Sequence, residues 1–375
     1  MIAVIWCGSP LLAQDTLINY TLIDAHARGA NKDLTQDLPQ LVDYLKQESY
    51  NELETARSLF VWVAHFLSFD QQAYRKGNQR LNKNISDILR RRKAVCFGYA
   101  QLYQRLCQEA GIICEVVSGY SKEQLGLPIE LDHPNHAWNA VRLEGKWYLL
   151  DVTWYSNLLG GQNRFTQQYG DRYFLSPPDL FLLQHFPSDP MWQLVDAPIS
   201  FSQFNQDRYS KDHLFPAQEK VNFNFTDSIH QWRQLSRTAQ RLQSAQRNYR
   251  GYPTEANAQE LTACYMDCEV ELSRKAEQLQ ESEQFDSLAI VQEQILELCA
   301  AAQQIGHLFS GQIENCAYTK INYASTLSAL IAHASDAEEE RTASRLELMI
   351  RYLEEAQVAL QELPSNLFID PVLVQ

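Results

Sequence analysis

An α+β domain followed by an all-α helical bundle is the fold class the sequence predicts, on three observations. The first is charge. Residues 254–375 hold 21 Asp+Glu against 6 Lys+Arg, whereas the first 253 residues hold 25 acids against 26 bases. Nearly all of the net charge of −14 therefore sits in the last third. The second is backbone punctuation: after Pro253 only Gly306, Gly311, Pro364 and Pro371 remain. The third is periodicity, with strand-like stretches upstream and long apolar stripes at helical spacing downstream. A chain of 375 residues fits two or three domains.

The same numbers exclude whole classes. No run of eighteen apolar residues is present, so no transmembrane helix is expected. The pI of about 5.1 argues against a nucleic-acid surface. Eight cysteines are too sparse for a disulfide scaffold, and the seven after Cys7 leave at least one unpaired. Met1–Ala13 (MIAVIWCGSPLLA) reads as the end of a truncated secretory signal, with a disordered or packed N-terminus as the alternative (residues 1–14). Bulky Trp6 before Cys7 argues against a lipid anchor there.

Element by element, the first domain spans residues 15–195. Leu38–Tyr50 reads as a helix. Glu52–Leu67 is a clearer one, with Leu53, Ala56, Leu59, Phe60, Val63 and Ala64 at helical spacing. Ile85–Arg92 is a short helix, and Val95–Ala110 is a longer one stopped by Gly111. Ile112–Tyr120 is strand-like, and residues 122–135 are a loop containing Pro128 and Pro134. His136–Leu143 and Trp147–Trp154 form two strands joined at Glu144-Gly145. Asn157–Asp171 is polar and reads as a loop, and Tyr173–Leu194 closes the domain. Residues 196–225 form a connector. Helices then follow over Thr226–Arg250, Thr254–Glu281, Ser282–Phe309, Gln312–His333 and Asp336–Leu363, the last opened by a capping box at Ser335 and Glu338. They make up the acidic bundle, residues 226–375.

The chemistry concentrates in the first domain. Cys96 starts a helix directly after Arg90-Arg91-Arg92-Lys93. A helix N-terminus and a basic run both favour the thiolate, which is the nucleophile. The competing reading is a buried core cysteine, which suits Cys107 and Cys114. With Leu143 opposite Lys146, the hairpin places His136, Trp138, Asp151 and Thr153 on one face. His136 and Asp151 become diagonal neighbours about 7–8 Å apart at the backbone. A carboxylate on one imidazole nitrogen orients the ring, and the other nitrogen is left for a thiol. Tyr99 and Trp138 are candidates for the wall of a substrate cleft, with plain packing as the equal alternative. His133, beside Pro134, reads as a loop tip. No Cys/His set has zinc spacing and no Asp/Asn cluster suits calcium, so no metal and no cofactor is expected.

Residues 94–103 (AVCFGYAQLY), 136–143 (HAWNAVRL) and 147–154 (WYLLDVTW), taken together and in this order, resemble the three catalytic blocks of the transglutaminase-like superfamily. Residues 56–70 and 173–195 resemble its flanking segments, so the similarity covers about residues 50–195. One departure is Ala94 before Val95, where members usually carry glycine. The resemblance implies a papain-like α+β core, its cysteine helix packed on an antiparallel sheet. It also implies Cys96 as nucleophile, His136 as base and Asp151 as orienting acid. The Cys96 N–H suits an oxyanion donor; the sequence assigns no second donor.

The expected function is a thiol-dependent amide hydrolase acting on peptides through a thioester. The alternatives are protein-glutamine acyl transfer and a non-catalytic protein-binding scaffold. Expected partners are a protein or peptide substrate and a protein bound through the C-terminal helices, without nucleic acid. The expected location is secreted or periplasmic, with the cytoplasm as the alternative.

Overall fold

The computed structural model describes residues 19–76, 84–122, 134–160, 170–205, 223–306, 310–332 and 339–361. The N-terminal segment with Cys7, the loop with His133 and the capping box at Ser335 and Glu338 lie outside them. The chain divides into two compact units: residues up to 117 with 136–181, and residues 118–135 with those from 182 onward.

The first unit is built on α1 (Thr21–Arg28), α2 (Leu38–Leu45) and α3 (Glu52–Phe66). Asn51 caps α3, its side chain accepting from the Glu54 N–H. Every residue from Thr55 to Ala64 is buried, so α3 is the central helix of the core rather than an amphipathic surface one. The one charge in that run, Arg57, forms a bidentate pair with Asp24 of α1, Nε–Oδ1 and Nη2–Oδ2 both 2.8 Å. Its guanidinium also lies 5.0 Å from the ring centroids of Tyr20 and Phe174. A buried charge is tolerable only when satisfied in this way.

After β1 (Ser68–Phe69), α4 (Gln71–Arg75) and α5 (Ile85–Arg91), the chain turns through Arg92 in the left-handed region, φ 50°. It enters β2 (Lys93–Ala94), which pairs in parallel with β1, and then α6 (Cys96–Glu109). Gly111, φ 79°, follows the helix, and Ile112 N–H returns to the Cys107 carbonyl at 2.8 Å. β3 (Ile113–Ser121), β4 (His136–Leu143) and β5 (Lys146–Leu150) follow. The antiparallel β4–β5 register sets Leu143 opposite Lys146 and Asn139 opposite Leu150, as the sequence predicts. Glu144 (φ 50°) and Gly145 (φ 83°) supply the two positive φ angles of a type I′ hairpin turn.

Two expectations change here. The strand expected over Trp147–Trp154 ends at Leu150, and α7 (Val152–Gly160) takes over part of the expected polar loop. The cause is Asp151, which caps the helix. Its Oδ1 accepts from the Trp154 N–H at 3.0 Å and its carbonyl from the Tyr155 N–H.

The first unit closes with α8 (Pro178–Phe181). In the second unit the end of β3 pairs antiparallel with β6 (His185–Pro187). Tyr120, Phe186, Phe201 and Phe204 form an aromatic cluster, with Tyr252 stacked on Phe201 at 3.9 Å. Of these, Phe201 and Phe204 lie on α9 (Phe201–Phe204). The helices are α10 (Phe225–Arg233), α11 (Arg237–Gly251), α12 (Glu255–Glu281), α13 (Phe285–Ile305), α14 (Ser310–Ala332) and α15 (Glu339–Gln361). The single helix expected over Thr226–Arg250 is two, because Ser236 caps a new start at Arg237. A disulfide joins Cys299 of α13 to Cys316 of α14. Cys96, Cys107, Cys114, Cys264 and Cys268 are thiols. Among the described residues no helix is long and apolar enough to cross a membrane.

Candidate active site

Cys96, His136 and Asp151 lie on three different elements of the first unit. Cys96 is the first residue of α6, a fourteen-residue helix, so its thiol and its N–H sit at the positive end of the dipole. His136 is the first residue of β4, and Asp151 follows the last residue of β5. All three are buried: Cys96 is 2%, His136 3% and Asp151 0% exposed.

The imidazole Nε2 and Asp151 Oδ2 are 2.6 Å apart, at the short end for a charge-assisted hydrogen bond. Asp151 thus divides its two oxygens, Oδ2 to His136 and Oδ1 to the start of α7. Helix capping holds the carboxylate in place for the ring. Cys96 is a second hydrogen-bond partner of His136. Burial pushes the imidazole toward its neutral form. The charge and hydrogen bond of Asp151, joined by those of Cys96, outweigh burial and lift His136 to about 10. These interactions favour the imidazolium, and the ring faces the sulfur of Cys96.

A brace sets the cysteine helix against the histidine strand. Asn139 of β4, fully buried, donates from Nδ2 to the Ala100 carbonyl of α6 at 3.0 Å. The same nitrogen reaches the Glu115 carbonyl of β3 at 3.4 Å. The indoles of Trp138 and Trp154 flank His136, centroids 5.8 and 5.6 Å away. Sequence reasoning missed Asn139 and Trp154 as site-builders, although both lie inside the HAWN and DVTW blocks. It also missed Tyr74 of α4, whose hydroxyl is pushed up by burial and then by its electrostatic coupling to Cys96.

The basic run lies elsewhere than expected. Arg90 pairs with Asp87 at 2.7 Å and Arg91 with Asp70 at 3.3 Å, and Arg92 sits over the Phe66 ring. All three are exposed, whereas Cys96 is buried. Arg92 takes the left-handed turn between α5 and β2, and His136 is coupled to Cys96. Of the two cleft candidates, Tyr99 is fully buried, with its hydroxyl 3.4 Å from Ser156 Oγ. Burial pushes that phenol up to about 12. Trp138 is 1% exposed and packs edge-on against Phe181. Neither ring reaches the surface.

Comparison with known proteins gives one family and a small set of relatives. Residues 39–152 match the transglutaminase-like superfamily. Kyphoscoliosis peptidase of Mus musculus is 40% identical over 193 residues, 50% of this chain and 29% of its own length. The Homo sapiens protein of that name is 40% identical over 182 residues, 48% of this chain and 27% of its own. The chain therefore matches less than a third of the length of these relatives. A solved structure titled "Crystal structure of a TGase" covers 43% of this chain and 40% of its own at 21% identity, with a TM-score of 0.28.

Proposed function

We propose that this chain, which carries a transglutaminase-like superfamily core over residues 39–152, is a thiol-dependent amide hydrolase acting on peptides. The observation that carries the proposal is His136, bonded at 2.6 Å to Asp151 and hydrogen-bonded to a cysteine at a helix N-terminus. The peptidase name of the two relatives supports the same reading.

In that reading the reacting pair is a Cys96 thiolate beside the His136 imidazolium: Sγ attacks the substrate carbonyl carbon, and the oxyanion forms beside the Cys96 N–H in the first turn of α6, where helix N–H groups have no intrahelical acceptor. The C–N bond breaks as His136 gives its proton to the leaving amine, and a thioester remains. His136 then takes a proton from water, whose oxygen attacks the thioester. The acid leaves, and Cys96 and His136 return to their starting charges. Asp151 keeps its charge throughout, orienting the ring and stabilising the imidazolium.

One observation favours a second reading. Cys96 is only 2% exposed, which suits a scaffold that binds protein and turns nothing over. Profiling a labelled peptide library with wild type and Cys96→Ala separates the two. Cleavage by wild type alone supports hydrolysis. An absence of both cleavage and acyl adduct on Cys96 supports the scaffold. Incorporation of a fluorescent primary amine into a glutamine-bearing protein, dependent on Cys96, would instead make the chain an acyltransferase. For location, the Cys299–Cys316 disulfide supports an oxidising compartment, secreted or periplasmic.

A further inference from the structure

Cys96 draws on two separate sheets. The four-stranded sheet supplies His136 at the start of β4. The two-stranded sheet leads into the cysteine helix itself, because β2 ends at Ala94, two residues before Cys96. Its other strand, β1, leads into α4. The ladder sets Phe69 opposite Ala94, and the Asp70 N–H donates to the Ala94 carbonyl at 2.9 Å. The starts of α4 and α6 are thereby held side by side.

α4 is short and firmly placed. Asp70 Oδ1 accepts from the Ala73 N–H at 3.0 Å, and Asp70 Oδ2 pairs with Arg91 at 3.3 Å. The Tyr74 N–H donates to the Asp70 carbonyl at 3.0 Å. The Tyr74 ring packs on Phe69, centroids 5.6 Å apart. The backbone that flanks Cys96 therefore also carries this phenol.

The hydroxyl of Tyr74 is uncommitted, unlike those of its neighbours on α6. Tyr99 meets Ser156 Oγ, and Tyr103 donates to the Ala56 carbonyl. The Tyr74 hydroxyl has no hydrogen-bond partner among the described residues, and it is not closed off from solvent. Cys96, His136 and Asp151 are all buried, whereas Tyr74 is partly exposed, so a substrate approaching from solvent can reach it. Burial, and then the charge of Cys96, push its phenol above the ordinary value. It keeps its proton at neutral pH and remains a donor.

The chemistry calls for such a donor. As Sγ attacks, the carbonyl π pair moves onto oxygen, and stabilising that charge is a large part of catalysis. The leaving nitrogen must face His136, so the oxygen takes another corner of the tetrahedron. We propose that the Tyr74 hydroxyl is the second oxyanion donor, hydrogen-bonding that oxygen together with the Cys96 N–H. The assignment rests on the hydrolase reading above. Tyr74 transfers no proton: the oxygen pair re-forms the C=O bond as C–N breaks, and His136 supplies the proton to the amine.

Two electrophiles, offered to the full chain, test it. Para-nitrophenyl acetate acylates a thiolate through a tetrahedral oxyanion. Iodoacetamide alkylates it by displacement at a saturated carbon, where no oxyanion forms. Tyr74→Phe keeps the ring on Phe69 and removes only the hydroxyl. Acylation of Cys96 is read by nitrophenolate release, less the Cys96→Ala background, and by the mass of the acyl-enzyme. Tyr74→Phe should slow it about 10²-fold. The alkylation rate of Cys96, its pH profile and the circular-dichroism spectrum should stay those of wild type. Equal acylation of wild type and Tyr74→Phe would overturn the proposal and leave the hydrolase reading standing. Equal slowing of both reactions would also overturn it, because the hydroxyl would then act on the sulfur. Wild type that is alkylated at Cys96 yet forms no acyl-enzyme would overturn the hydrolase reading, and the donor role with it.

Discussion

Cys96 and Cys107 are both buried and sit at opposite ends of one helix, α6, yet their surroundings have little else in common. Cys96 is at the positive end of the helix dipole, and its partner is an imidazolium held by Asp151. Cys107 is in the last turn, and its neighbours are Cys114 and Tyr103. There burial pushes the Cys114 thiol well up, and the hydrogen bond to Cys107 adds to it. Tyr103 is pushed up by burial and then by the two thiols. Burial there disfavours the thiolate of Cys114, the neighbour of Cys107. What distinguishes Cys96 is a charged partner whose own charge is secured by a third residue.

The largest effect that breaks this comparison is on turnover. Cys96→Ala and His136→Ala are each expected to lower it about a millionfold, to background, whereas Cys107→Ala leaves it near wild type. Assay on the best cleaved peptide checks all three. Equal losses at both ends of the helix would remove the distinction.

A smaller effect separates the two duties of Asp151. Asparagine also caps helices well, so Asp151→Asn keeps the start of α7 and removes only the charge beside His136. It should cost about 10³–10⁴-fold in turnover and should lower the urea midpoint most below about pH 6.5, where the Asp151 charge stabilises protonated His136 in full. Asp151→Ala removes the cap as well, and should add a loss of about 1 kcal/mol in unfolding free energy.

The smallest effect is on stability against pH. Unfolded histidine loses its proton near 6.5, while folded His136 keeps it to about 10. Between those values the folded state binds the extra proton, so raising the pH disfavours it. The contribution of His136 is present in full below about 6.5 and lost through about 10. Urea midpoints for wild type should fall across that window. They should fall less for Asp151→Asn, whose His136 lacks the charge that holds the proton.

Much of this arrangement was legible in the sequence, and the gaps have physical causes. The hairpin register was readable because Glu144-Gly145 admits one tight turn, and a one-residue slip would move every side chain to the other face. Asp151 was expected on a strand because Val152, Thr153 and Trp154 all favour strands. Its capping bond to Trp154 overrode that propensity and started a helix. Of the basic run, Arg90 and Arg91 find acidic partners that sequence order alone does not single out. Arg91 finds Asp70, twenty-one residues upstream. Asn139 gave no signal because it binds backbone carbonyls of distant segments, which no side-chain pattern records. The long helices needed only periodicity, except at Ser236, where a cap cut one in two. The Cys299–Cys316 pairing could not follow from a cysteine count.

The central claim is that His136 makes Cys96 the reactive thiol of the folded chain, and limiting iodoacetamide at neutral pH tests it most directly. Peptide mapping reads the five thiols of the described residues, Cys96, Cys107, Cys114, Cys264 and Cys268, side by side. Burial pushes Cys264 up to about 12, and Cys268, though partly exposed, is pushed up as well. Label should collect first on Cys96 in wild type, and His136→Ala should abolish the preference while the protein stays folded. Label on Cys268 or Cys264 with Cys96 untouched, or a preference for Cys96 that survives His136→Ala, would contradict it.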